Sequence, residues 1–232
     1  MPISVSDHIH HQTKNTKLLI RAFLVNSITA FVLNAAPPAG NVTLKEIPLN
    51  PVNGIASGAT RMGGQFSLKG LEHIGLFIGN PNTLSRADRV VMTFDMVSLL
   101  RNAAKVKSAK LVFLEEYLFG PDDTREIEVV VFDGSLSELT EESLSSSEVK
   151  PVATVTVSSA DQRKGGQAQV KTYKVDVTTQ LLEKIKAGGL SISFRLQDVK
   201  AESEGNPTME PAGITLDQRP GFLPTIIVQM ER

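Results

Sequence analysis

Beyond residue 40, apolar and polar positions alternate with a period of two along most of the chain. In Val90-Val-Met-Thr-Phe-Asp-Met96, residues Val90, Met92, Phe94 and Met96 share one side, and Thr93 and Asp95 take the other. Ala153-Thr-Val-Thr-Val157 repeats the pattern. So does Leu190-Ser-Ile-Ser-Phe-Arg-Leu196, where Ser191, Ser193 and Arg195 point away from the apolar side. Ala109 to Phe119 and Ile127 to Phe132 are denser in apolar residues, as expected of strands covered on both faces. Thr225-Ile-Ile-Val-Gln-Met230 closes the series. Turn-forming stretches separate these runs: Asn80-Pro-Asn82, Gly120-Pro-Asp-Asp123, Gly165-Gly166 and Gly205-Asn-Pro207. Short strands with such breaks predict an antiparallel sandwich or barrel.

One segment breaks the period. Between the strand-like Val175-Asp-Val177 and Leu190–Leu196, the residues Leu181, Leu182 and Ile185 fall on one side of a helix near 179–187. Glu183, Lys184 and Lys186 fall on the other. Thr178 or Thr179 is suited to cap its start, and Gly188 or Gly189 to end it in a left-handed turn. Such a helix can cover apolar core where two sheets splay.

At 232 residues the chain is long enough for one sizeable β-domain. Its 24 Lys+Arg nearly balance 25 Asp+Glu, which argues against nucleic acid as the main partner. The chain has no Cys, so disulfides, thiolate metal sites and cysteine nucleophiles are excluded. Ahead of the strands, Lys14 and Lys17 precede an apolar stretch from Leu18 to Ala36, followed by Pro37-Pro-Ala-Gly40. This order reads as a secretory signal, with Arg21, Asn26 and Asn34 interrupting the apolar run. An amphipathic segment packed on the domain is the alternative. No other segment approaches the length of a spanning helix. The sequence thus divides into a signal or mobile segment over 1–40 and one domain over 41–232.

The order Ile74-Gly-Leu-Phe-Ile-Gly79, Arg86-Ala-Asp-Arg-Val-Val-Met-Thr-Phe-Asp-Met96 and Val106-Lys-Ser-Ala-Lys-Leu-Val-Phe113 resembles the DNRLRE-type jelly-roll domain. The helix-bearing segment from Val175 to Leu196 and the closing segment from Ile214 to Val228 extend the resemblance over residues 41–231. Asp217-Gln-Arg219 only approximates the family's closing motif, and 133–170 does not align with it. Relatives of that domain include carbohydrate-binding modules, family 96 among them. The resemblance implies an all-β, antiparallel jelly-roll β-sandwich that is secreted, extracellular and non-catalytic, with a polysaccharide ligand.

Candidate chemistry is sparse. His8, His10 and His11 cluster ahead of the apolar stretch and read as part of a terminal tail, and His73 stands alone. Glu115 and Glu116 are adjacent on a strand, so they face opposite sides and cannot form a glycosidase pair. Asp122-Asp123 reads as a turn, and structural calcium is the one cofactor it leaves open. The glycines around Arg61 lack the lysine and hydroxyl of a phosphate loop. With no Trp and only Tyr117 and Tyr173 as tyrosines, stacking on neutral sugars has little to work with; the parity of Tyr173 with Val175 and Val177 points it into the core.

An acidic glycan suits the basic side chains better. Candidates are Lys174 and Arg195, which alternation turns outward from a sheet, and the loop residues Arg61, Arg86 and Arg89. The expected function is therefore a non-catalytic module for an acidic polysaccharide. The alternative is a structural or surface-assembly sandwich that packs against copies of itself.

Overall fold

The computed structural model describes residues 43–62, 65–69, 76–80, 88–120, 124–132, 151–158, 171–203, 212–217, 219 and 221–232. The terminal segment 1–40, His73, Arg86, the Asp122-Asp123 turn and the connector 133–150 lie outside them.

Twelve strands make up most of the described residues. They are β1 (Leu44–Leu49), β2 (Pro51–Met62), β3 (Gln65–Lys69), β4 (Phe77–Asn80), β5 (Asp88–Asp95) and β6 (Val106–Phe119). Then come β7 (Thr124–Phe132), β8 (Pro151–Ser158), β9 (Lys171–Asp176), β10 (Ser191–Asp198), β11 (Ala212–Leu216) and β12 (Thr225–Glu231). Their pairings are antiparallel, in the order β1-β12-β6-β11-β4-β5-β10-β7-β8, with β9 on the free side of β6 and the β2–β3 pair joined to β5.

The two layers of the β-sandwich face one shared core. One layer, β9, β6, β12 and β1, supplies Leu111, Phe113, Val175, Ile226 and Val228. The other, β2, β5, β10, β7 and β8, supplies Met92, Phe94, Ile127, Val129, Val157 and Phe194. Cross-strand neighbours fix the register by packing. Ile192 lies opposite Phe94, Phe194 opposite Met92, and Leu196 opposite Val90. The Phe94 and Phe194 rings meet edge to face at 6.2 Å, and Phe113 stacks on Tyr173 at 5.5 Å.

Strand β11 carries the chain between the layers, pairing with β6 on one side and β4 on the other. Gly213 and Gly79 are direct partners there. A Cβ at Gly213 would lie 2.2 Å from the Ile78 carbonyl oxygen, and one at Gly79 would lie 2.5 Å from that of Ala212. The two backbones approach this closely only because both positions are glycine.

The helix expected near 179–187 is α2 (Thr178–Lys186), with Leu181 and Ile185 buried in the core and Leu182 half-buried. Its start differs from expectation. The N-cap position is Val177, and neither threonine caps it. The Thr178 hydroxyl is instead committed to β6, where it accepts the Ala109 N–H at 2.8 Å, while Asp176 Oδ1 accepts the Thr178 N–H at 2.9 Å. Gly188, at φ +77°, supplies the left-handed residue past the end. Two further short helices, α1 (Val97–Leu100) and α3 (Val199–Ser203), and a 3-10 turn at Ala103–Lys105 join strands. Asp198 starts α3 by accepting the N–H groups of Lys200 and Ala201 at 2.9 and 3.0 Å.

Double coverage divides the two apolar-rich strands. On β7 both Val129 and Val130 are buried, as their density implies. On β6, by contrast, Lys107, Lys110 and Glu116 are exposed, so its outer face is open.

Candidate functional site

Lys174 is where alternation puts it. Tyr173 and Val175 are buried, and Lys174 is exposed on the outer face of β9. Its direct neighbour across the β6 pairing is Val112, which in turn lies opposite Thr225 of β12. The next row towards the β12 C-terminus places Lys110 between Asp176 and Ile227, and the row after that places Gln229 between Ser108 and Glu46. Lys174 and Val112, Lys110 and Ile227, and Ser108, Gln229 and Glu46 from these rows line a groove of about 370 Å³ that also takes in Thr172.

The floor of the groove is mixed. Val112 and Ile227 give it an apolar strip, and Ser108 donates to Gln229 at 3.0 Å. Gln229 in turn donates to Glu46 at 3.3 Å. Lys110 and Lys174 bring two ammonium groups against the single carboxylate of Glu46 in the lining. Asp176 stands beside Lys110, and its carboxyl is held below its ordinary range by hydrogen bonds from Thr178, with the Lys110 charge adding to the effect.

Arg195 corrects the expectation of an outward, solvent-reaching residue. Its parity is as read: it faces away from Ile192, Phe194 and Leu196. That second face of β5, β10 and β7 is nevertheless buried as well. Val91, Thr93, Val130, Ser193 and Arg195 are all at most 2% exposed. Alternation reports which face a side chain takes, and burial depends on what lies over that face.

A polar layer occupies it. Arg89, expected on a loop, is in β5 and also buried, with its guanidinium in a two-pronged contact to Glu202 of α3 at 2.7 Å on each prong. Thr93 and Ser193 share a hydrogen bond of 2.8 Å, and Gln197 donates to Glu128 at 2.8 Å. Burial, and then the like charge of Arg89, bring the Arg195 guanidinium down to about 10. Glu202 and Glu128 act in the opposite direction. A second buried pair, Arg125 with Asp198 at 2.8 Å, ties β7 to the start of α3. These charges hold the sandwich to its short helix, which removes Arg89 and Arg195 from a surface that a polymer could touch. Arg61 lies in β2 with its side chain outside the described residues, as is the whole of Arg86.

The adjacent carboxylates separate as strand geometry requires. Glu115 is fully buried and Glu116 exposed. Burial pushes the Glu115 carboxyl above the usual carboxylate range, partly offset by a 2.8 Å hydrogen bond from Tyr173 and by the Lys171 charge. Glu115 is 0% exposed and Tyr173 7%, so this acid sits inside the core rather than against a substrate.

Tyr117 is the residue that simple alternation misses. Thr215 lies opposite Tyr117 and Leu216 opposite Glu115, so Glu116 is an extra residue in β6. This β-bulge shifts the parity by one, and Tyr117 emerges 56% exposed instead of following Phe113 and Glu115 inward.

Among the described residues no group of three or more His, Cys, Asp or Glu side chains converges as a metal site, and no helix is long and apolar enough to cross a membrane. No protein-family model matches the chain, and neither does a curated protein.

Proposed function

We propose that the chain is a non-catalytic, exported binding module for an acidic polysaccharide, held on the outer face of β1, β12, β6 and β9. The observation that carries this reading is the convergence of Lys110 and Lys174 with Ser108, Thr172 and Gln229 in one open groove. An open groove along a sheet face admits a long polymer without requiring its end. Hydroxyl and amide groups match sugar hydroxyls in hydrogen bonding, and ammonium groups compensate carboxylate or sulfate charge. Both lysines are exposed, so a ligand charge can be met without first burying an unpaired ion. The DNRLRE-like order of segments and the basic-then-apolar stretch ahead of Pro37 favour the same reading.

Retention on immobilised alginate and dextran sulfate, against uncharged dextran, tests it. The charged polymers should hold the protein and release it as salt rises. Changing Lys110 and Lys174 together to Ala should weaken retention and flatten the salt response, while stability stays within about 0.5 kcal/mol. Retention that is equal on uncharged dextran, or absent on all three, would end the proposal. In the second case, self-association in gel filtration would favour the assembly alternative.

A further inference from the structure

We infer that the ligand lies along β6 as an extended chain, and that Tyr117 with the Phe222–Arg219 pair forms a separate aromatic subsite for a sugar ring beyond the lysine groove. The inference rests on the glycan reading above.

The two regions share one strand and one face. Ser108, Lys110 and Val112 line the groove, and Tyr117 follows Val112 by five residues on β6. At ~3.3 Å per residue, the face from Ser108 to Tyr117 is about 30 Å long, a length that only an oligomer of several sugars spans. The bulge at Glu116 is what returns Tyr117 to the outer side, beside Thr215. Bulges are devices that re-aim side chains, and here the result is an exposed ring in a protein with two tyrosines and no Trp.

Among the described residues Phe222 is the second exposed aromatic ring, at 41%. The Arg219 guanidinium lies 4.7 Å from its ring centre. Arg219 is itself oriented by the almost fully buried Asp217, which accepts from Nε and Nη2. Those bonds, with the Glu116 charge assisting, hold the guanidinium above its ordinary pKa. The Asp217 N–H donates to the Leu114 carbonyl of β6 at 3.0 Å, just past the Thr215–Tyr117 pairing, so the turn that carries Arg219 and Phe222 leaves β11 beside the strand that bears Tyr117. Aromatic faces carry negative charge density, and the C–H face of a pyranose presents a weakly positive apolar surface. Polar groups flank each ring, Thr215 and Glu116 at Tyr117 and Arg219 at Phe222, and suit the hydroxyls around a sugar ring.

The tyrosine content provides a direct readout. Tyr173 is 7% exposed and Tyr117 56%, so acrylamide quenching of tyrosine emission reports mainly on Tyr117. Polymeric alginate and long alginate oligosaccharides should protect that emission. A disaccharide, too short to reach from the groove, should bind without protecting it. Changing Tyr117 and Phe222 together to Ala should weaken binding of the polymer about tenfold and leave the disaccharide affinity unchanged. Tyr117→Phe, which keeps the ring, should stay within about twofold of the parent. Unchanged quenching with polymer bound, or wild-type affinity in the doubly substituted protein, overturns the aromatic subsite. If the Lys110/Lys174 variant loses retention in that same experiment, the glycan reading survives without it. A parent protein retained on no charged polymer overturns both.

Discussion

Tyr173 donates its phenolic hydrogen to Oε2 of Glu115 at 2.8 Å, inside a core otherwise built from apolar side chains. Burial raises the Glu115 carboxyl above its unfolded value, so over an interval above about pH 4.3 the folded protein keeps a proton that the unfolded chain has lost. Its contribution is fully present below that interval and is lost as pH rises through the folded value. Glu115→Gln retains an acceptor for Tyr173 without the charge. The variant should lose less stability than the parent across the interval, by up to about 1.4 kcal/mol per pH unit. Urea unfolding at a series of pH values checks this, and parallel profiles for parent and variant would refute it.

The fork between Arg89 and Glu202 joins residues 113 apart in sequence, with side chains 5% and 17% exposed. Arg89→Ala removes the two-pronged partner of a largely buried carboxylate, leaving it only the charge of Arg195, and should cost up to about 3 kcal/mol. Replacing both partners with apolar residues should cost clearly less than the sum of the single changes. Arg195→Ala should also cost about 3 kcal/mol, through lost packing of its stem and loss of a charge facing Glu202 and Glu128. Arg195→Met keeps the stem and should fall closer to the parent. A loss within about 0.5 kcal/mol for Arg195→Ala, as for a surface residue, would contradict the buried polar layer.

How far the sequence carries can be read from these residues. Period-two alternation located β5, β9 and β10 and turned Lys174 outward and Tyr173 inward, because strand geometry alone sets those directions. The helix was legible within one residue of its bounds because Leu181 and Ile185 follow the helical spacing and Gly188 stops it. Alternation misplaces Arg195 because it carries no information about a second covered face. Its strand reads as amphipathic, yet the polar side is buried among partners distant in sequence. Tyr117 escaped because a bulge is a property of two paired strands, and its extra residue, Glu116, is visible only against β11. The groove required the register of four strands, which no local pattern supplies.

Gly213 should tolerate no side chain. Its φ of +156° and the 2.2 Å separation between an added Cβ and the Ile78 carbonyl oxygen act together. Gly213→Ala should destabilise by about 2–3 kcal/mol, since the neighbour is paired backbone that cannot rotate away. Gly188 provides the comparison: its φ is +77°, but nothing lies within 4 Å of an added Cβ. Gly188→Ala should therefore cost only about 1 kcal/mol, the strain of a left-handed alanine. Thermal unfolding of the two variants side by side decides this, and equal losses would discount the close approach of β4 and β11.

The acid side of the stability profile should belong to two other carboxylates. Asp176 is held low by hydrogen bonds from Thr178, and Asp217 by those from Arg219. A carboxyl depressed in the folded state contributes stability that is present above its unfolded value, about 3.9, and is lost as pH falls through the folded one. The sign is opposite to that of Glu115, so acidification removes these contributions while leaving Glu115 in its favoured protonated form. Asp176→Asn and Asp217→Asn should each flatten the acid decline, Asp176→Asn the less because its carboxyl is exposed and screened by solvent, and the double variant should do so most. Glu115→Gln should leave that acid decline in place. Urea unfolding between pH 2 and pH 5, with one-proton slopes as the scale, separates the contributions. An acid limb unchanged in the double Asn variant would mean that neither the Thr178 nor the Arg219 hydrogen bonds shift these carboxyls in the folded protein.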